Sequence, residues 1–154
     1  MAASALASAG RLWPRGRRAD ALVLLGCGGR KLAWPSEQVL AVLEQLAAGR
    51  PVIQLIHGGA RGADQAIGLA AEQLGWPVLA VPAQWQRDGR GGGMLRNGRM
   101  LEQAIALAKA ASTAEQLVKV GVIAFPGGAG TAGMVRLARS AAAGGWVGVA
   151  QVRG

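Results

Sequence analysis

The sequence predicts an α/β protein: a Rossmann-like open, mainly parallel sheet of about five strands with helices on both faces. Three observations point to it. Short apolar runs alternate about five times with stretches of helical periodicity, the pattern of strands joined by helical crossovers. Glycine clusters stand at the ends of the apolar runs, which puts them on one edge of a parallel sheet. The chain has 154 residues, the size of one domain, with 51% hydrophobic and 16% charged residues.

In chain order, Ala21–Leu25 is a continuous apolar run of a strand buried on both faces, ended by Gly26. Ser36–Ala48 carries Val39, Leu40, Val42, Leu43 and Leu46 at helical spacing, with Ser36 as a candidate N-cap and Gly49 at the C′ position. Pro51–Ile56 is a second strand, and His57–Asp64 opens a helix that runs to about Leu74. Pro77–Val81 is a third strand, Pro82–Gly93 a loop, and Leu95–Ala111 a helix. Val118–Phe125 is a fourth strand. The turn at 126–130 leads into a helix from about Thr131 to Ala143, and Trp146–Ala150 is a short fifth strand.

The first 18 residues hold four Arg and no acid, so residues 1–19 are expected to be a disordered basic leader, a targeting segment or the product of a misassigned start. Residues 20–154 are expected to form the single domain. The single Cys27 excludes an internal disulfide and a Cys-based zinc cluster, and the single His57 excludes a His dyad or His cluster, so no metal is expected. A reducing, cytoplasmic setting fits one cysteine and no membrane-length apolar stretch. Seventeen Lys and Arg against eight Asp and Glu give +9. That charge suits anionic partners, nucleotides or nucleic acid. A composition biased toward Arg, Ala and Gly by a GC-rich genome accounts for it equally well.

Three Gly-rich segments end strands: GCGGRK (26–31), HGGARGAD (57–64) and PGGAGT (126–131). Two run directly into helices, where unpaired N–H groups and the positive end of the dipole attract anions and glycine lets the backbone come close. None matches a P-loop or the G-x-G-x-x-G fingerprint, and no acid ends the second strand to hold a ribose. Alternatives stay open for several residues. Arg61 either grips a ligand or pairs with Asp64. Asp64 either accepts a ribose hydroxyl or serves the helix dipole. Thr131 either bonds a phosphate or caps the last helix. Trp85 either stacks on a base or covers the sheet edge. His57 reads best as a strand-end histidine with a satisfied hydrogen bond, and Cys27 as a small apolar filler. The Arg- and Gly-rich segment 87–99 is either a lid or a solvated loop, with Arg96 and Asn97 at the start of its helix.

HGGARGAD, then PAQW (82–85), LRNGRML (95–101) and AFPGGAGTAGM (124–134), in this order, resemble the YspA-like (cpYpsA-related) family of the SLOG superfamily. The resemblance implies a Rossmann-like fold over about residues 21–150 and binding of a nucleotide or nucleotide-derived ligand. It implies a sensor role in a nucleotide-linked or phage-conflict system of bacterial or phage type, and no assigned activity. By position it marks Gly28, Gly29 and Arg30; Gly58, Gly59, Arg61, Gly62 and Asp64; Arg96 and Asn97; and Gly127, Gly128, Gly130 and Thr131 as ligand-binding. Lys31 and Gly133 stand where relatives often carry an acid.

Two further readings follow from the superfamily. Single-stranded DNA binding in the manner of DprA draws on the ARGAD and RN-x-R-M stretches and the basic charge, but aromatic stacking platforms are few. A nucleoside monophosphate phosphoribohydrolase needs a carboxylate near the sugar, and Ala132, Gly133 and Met134 stand where such relatives place a Glu. An enzyme is therefore the less favoured reading, with no catalytic residue assigned and no cofactor expected. A homo-oligomer remains open.

Overall fold

The computed structural model describes residues 10–14, 18–84 and 89–154. Five strands form one all-parallel sheet in the order β3-β2-β1-β4-β5: β1 Ala21–Cys27, β2 Val52–His57, β3 Val78–Ala80, β4 Val118–Ala124 and β5 Val147–Gln151. Among the described residues four α-helices connect them: α1 Ser36–Ala47, α2 Ala63–Gln73, α3 Gly92–Ala111 and α4 Ala129–Ala142. This is the predicted Rossmann-like architecture.

All seven residues of β1 are buried, because the strand lies at the centre with helices on both faces. Leu22 and Leu24 pack with Val39, Leu43 and Ile67 under α1 and α2. Val23 and Leu25 pack with Met100, Ala104, Met134 and Ala138 under α3 and α4. Each such leucine contributes about 1.5–3 kcal/mol by leaving water. Small residues on α3 and α4 let those helices lie close to the sheet.

Several boundaries differ from expectation. β1 continues through Gly26 and Cys27, because its ladder to β4 runs on through Gly26 opposite Ile123 and Cys27 opposite Ala124. Glycine is suited to that place: a Cβ on Gly26 would stand 2.9 Å from Ile67 Cγ2. Pro35, not Ser36, is the N-cap of α1, with no side-chain capping bond. Helix α3 begins at Gly92, after a 3-10 turn at Gly89–Gly91, so its glycines enter the helix instead of a loop. Arg96 and Asn97 consequently stand one turn inside it. Helix α4 begins at Ala129 with Gly128 as N-cap and no side-chain capping bond, so Thr131 is inside its first turn and is not its cap.

Leu12 and Trp13 fall within the segment expected to be a leader, yet both pack on the sheet. Leu12 is buried, and Gly121 of β4 and Gly148 of β5 leave the room for it. A Cβ on Gly121 would meet Leu12 Cδ1 at 2.7 Å, and one on Gly148 would meet Trp13 Nε1 at 2.6 Å. Among the described residues no helix covers β4 and β5 on that face, and the N-terminal strap is seated there. Asp20 then ties the chain to the loop before β4, accepting from Leu117 N–H at 2.7 Å and pairing with Arg18 at 2.6 Å. Among the described residues no helix is long and apolar enough to cross a membrane.

Candidate functional site

The strand order reverses between β1 and β4. The chain leaves β1 toward α1 on one face and leaves β4 toward α4 on the other, which opens a crevice at the carboxyl edge. The loops there are locked together through their backbones. Gly29 N–H donates to Pro126 O at 2.9 Å, and Ala63 N–H donates to Gly29 O at 3.0 Å. Gly29, Gly62 and Gly127 serve this packing. Gly62 has φ +73°, and a Cβ there would land on the Arg30 carbonyl. A Cβ on Gly127 would press on Gly29 N at 2.7 Å and on the Thr131 hydroxyl. Gly28 likewise meets Ala63, at 2.5 Å.

Two cavities flank this junction. The inner one, about 480 Å³, is lined by Gly28, Arg30, Asp64, Arg96, Asn97, Gly128, Gly130 and Thr131, together with Cys27, Ala60, Gly93, Met94, Met100, Ala129, Gly133 and Arg136. The outer one, about 410 Å³, is lined by Arg30, Gly58, Gly59, Ala60, Arg61, Pro82, Ala83 and Arg96. Sequence reasoning did not single out Arg136, Met94 or Met100. The signal for Arg136 was its helical spacing: Ala129, Gly133 and Arg136 recur at i, i+4 and i+7, one face of α4.

The two glycine turns that run into helices are not equivalent. In the first, two loop donors and the first helical N–H are used internally. Gly59 N–H donates to His57 Nδ1 at 2.9 Å, Ala60 N–H to Asp64 Oδ2 at 3.1 Å, and Ala63 N–H to Gly29 O. In the second, Ala132 N–H makes the first helical bond, to Gly128 O at 3.0 Å. The N–H groups of Ala129, Gly130 and Thr131 make no hydrogen bond among the described residues, and all three residues line the inner cavity. That end of α4 keeps the donors and the positive dipole that attract an anion. A Cβ on Gly128 or Gly130 would touch nothing within 4 Å, so these two glycines border open space.

Asp64 is buried and lines the inner cavity, the one carboxylate among the described residues that line the two cavities. Burial pushes its carboxyl pKa up, against the Ala60 N–H and the nearby His57 and Arg96. No ion pair joins it to Arg61, which is exposed. His57 is held as a neutral acceptor: burial pushes its pKa below the ordinary value, against the pull of Asp64 and Glu72. Its bond from Gly59 gives it the satisfied strand-end role. Arg96 Nη1 donates to Gly58 O at 3.0 Å, while its buried Nε has no partner. Asn97 Nδ2 donates to Gly130 O at 3.2 Å and so ties α3 to the first turn of α4. Cys27 forms part of the cavity wall as a neutral thiol, its pKa pushed up to about 12 by burial. Trp85 and residues 87 and 88 of the Arg-rich segment lie outside the described residues.

Arg30, Arg61, Arg96 and Arg136 thus line two adjoining cavities, and Asp64 lines the inner one. Set against known proteins, residues 23–87 match the model of the YAcAr family, described as the YspA, cpYpsA-related SLOG family. That segment runs from β1 through the first glycine turn and β3. Neither the curated proteins nor the solved structures contain a match to the chain.

Proposed function

We propose that this domain binds a nucleotide or nucleotide-derived ligand through its phosphate in the inner cavity, and that it acts as a cytoplasmic ligand sensor. The observation that carries the reading is the first turn of α4. Three N–H groups there have no partner among the described residues and line a cavity with Arg30, Arg96 and Arg136. Charge-assisted hydrogen bonds of this kind are about twice as strong as neutral ones. The cavity volume lies in the range of about 300–1,000 Å³ usual for small-molecule sites. Cys27, Met94 and Met100 give its wall an apolar stretch suited to a base or sugar face. The family match over residues 23–87 supports a nucleotide-related ligand.

Calorimetric titration with ribonucleoside monophosphates and with a single-stranded oligodeoxynucleotide, each at two salt concentrations, tests the reading. Saturable one-site binding of a monophosphate, with the oligonucleotide weaker, is expected. If the partner is single-stranded DNA, the oligonucleotide binds tighter and its log affinity falls with log salt at a slope of about −0.7 per neutralised phosphate. That result would replace the small-ligand reading.

A further inference from the structure

We infer that the ligand carries a phosphate chain of at least two groups, which starts at the first turn of α4 and crosses between Arg30 and Arg96 into the outer cavity. This inference rests on the small-ligand reading and extends it. The two cavities are neighbours: Arg30, Ala60 and Arg96 line both. Arg96 is held in place on that boundary, with Nη1 fixed to Gly58 O at 3.0 Å and a buried Nε that has no partner. A guanidinium so anchored offers its remaining N–H groups to an anion without first having to be ordered.

The outer cavity is specialised for charge. Two of its backbone donors are spent, since Gly59 N–H serves His57 and Ala60 N–H serves Asp64. Its carbonyl at Gly58 is taken by Arg96. Arg61 is exposed at its rim, and among the described residues no acid lines it. Such a surface recognises an anion and has little to offer a neutral sugar or a base. A monophosphate seated on α4 would leave Arg61 unused, whereas a second phosphate beyond the Arg30–Arg96 boundary would meet it. The chemical class is therefore a nucleoside diphosphate or triphosphate, or a dinucleotide with an anionic bridge.

The test compares the four ribonucleoside monophosphates with their diphosphates by calorimetry, without divalent cations. The proteins are the wild type, Arg61→Glu and Lys109→Glu. Lys109 is exposed in the last turn of α3 and gives the same change in net charge away from both cavities. A wild-type preference for the best diphosphate of at least tenfold over its monophosphate is expected. Arg61→Glu should abolish that preference and leave the monophosphate affinity within about twofold, and Lys109→Glu should leave both unchanged. Equal affinities in the wild type, or equal effects of the two substitutions, overturn the inference while monophosphate binding stands. Absence of binding by every probe overturns the inference and the small-ligand reading together.

Discussion

Arg96 and Gly58 are 38 residues apart in the chain and are joined by a hydrogen bond of 3.0 Å from Arg96 Nη1 to the Gly58 carbonyl oxygen. The bond fixes α3 to the first glycine turn and holds a guanidinium on the boundary of both cavities. Arg96→Ala should weaken nucleotide binding by about 1.5–3 kcal/mol, the range for a charge-assisted hydrogen bond. Arg96→Lys should recover little of it, because an ammonium cannot hold Gly58 and a phosphate with one planar fork. Titration calorimetry of the two variants checks both statements.

Two glycine substitutions should separate binding from folding. Gly128 borders open space, so Gly128→Val should melt like the wild type while losing most nucleotide affinity. Gly62 has φ +73° and its missing Cβ position coincides with the Arg30 carbonyl. Gly62→Ala should therefore cost about 2 kcal/mol or more, a fall in melting temperature of roughly 4–8 °C. Thermal melts and calorimetry on the same preparations read both effects. Equal destabilisation by the two changes would contradict this division.

The N-terminal strap should contribute to stability. Leu12 is 5% exposed and fills the space over Gly121. Leu12→Ala should cost about 2 kcal/mol, at the low end for a buried leucine because the strap can collapse onto the sheet. Removing residues 1–14 should cost at least as much by uncovering β4 and β5. Urea denaturation midpoints would show it, and a truncated chain as stable as the full one would contradict the packing described.

His57 should make stability depend on pH. Its Nδ1 accepts from Gly59 N–H, which requires the neutral ring, and burial lowers its pKa in the folded state. The unfolded chain then binds more protons between that lowered pKa and the ordinary value of 6.5. Stability should consequently rise with pH across this window and be lost as pH falls through it. Asp64 acts with the opposite sign: its raised pKa makes stability fall as pH climbs above the ordinary carboxyl value of 3.8. The difference between wild type and His57→Gln isolates the histidine. The glutamine variant keeps an acceptor and does not titrate, so its slope near pH 6 should be the flatter one.

The alternation of apolar runs and helical stretches was enough to read five parallel strands and four helices, because burial on both faces leaves continuous apolar runs such as Ala21–Leu25. Helix starts were less legible. Gly92 and Gly93 read as loop, yet they begin α3, since the packing of Met100, Leu101 and Ala104 on the sheet outweighs glycine's poor helix propensity. The strap at Leu12 was hidden for another reason: the vacancy it fills exists only because two glycines distant in sequence, Gly121 and Gly148, adjoin in the sheet. At the site, the glycines of the three turns were visible, but their division was not. Whether a glycine serves packing, as Gly29 and Gly127 do, or borders a cavity, as Gly128 and Gly130 do, depends on which loop lies against it. For the same reason the partners that the Gly59, Ala60 and Ala63 N–H groups find in His57, Asp64 and Gly29 were not legible.

Backbone amide chemical shifts locate the phosphate on the protein. On titration with a ribonucleoside monophosphate that binds, the N–H signals of Ala129, Gly130 and Thr131 should move most, and the parent nucleoside, lacking the phosphate, should leave them largely in place. Saturable binding with those three amides unmoved, and with shifts gathered instead around Asp20 and Leu117 at the opposite end of the strands, would contradict the account.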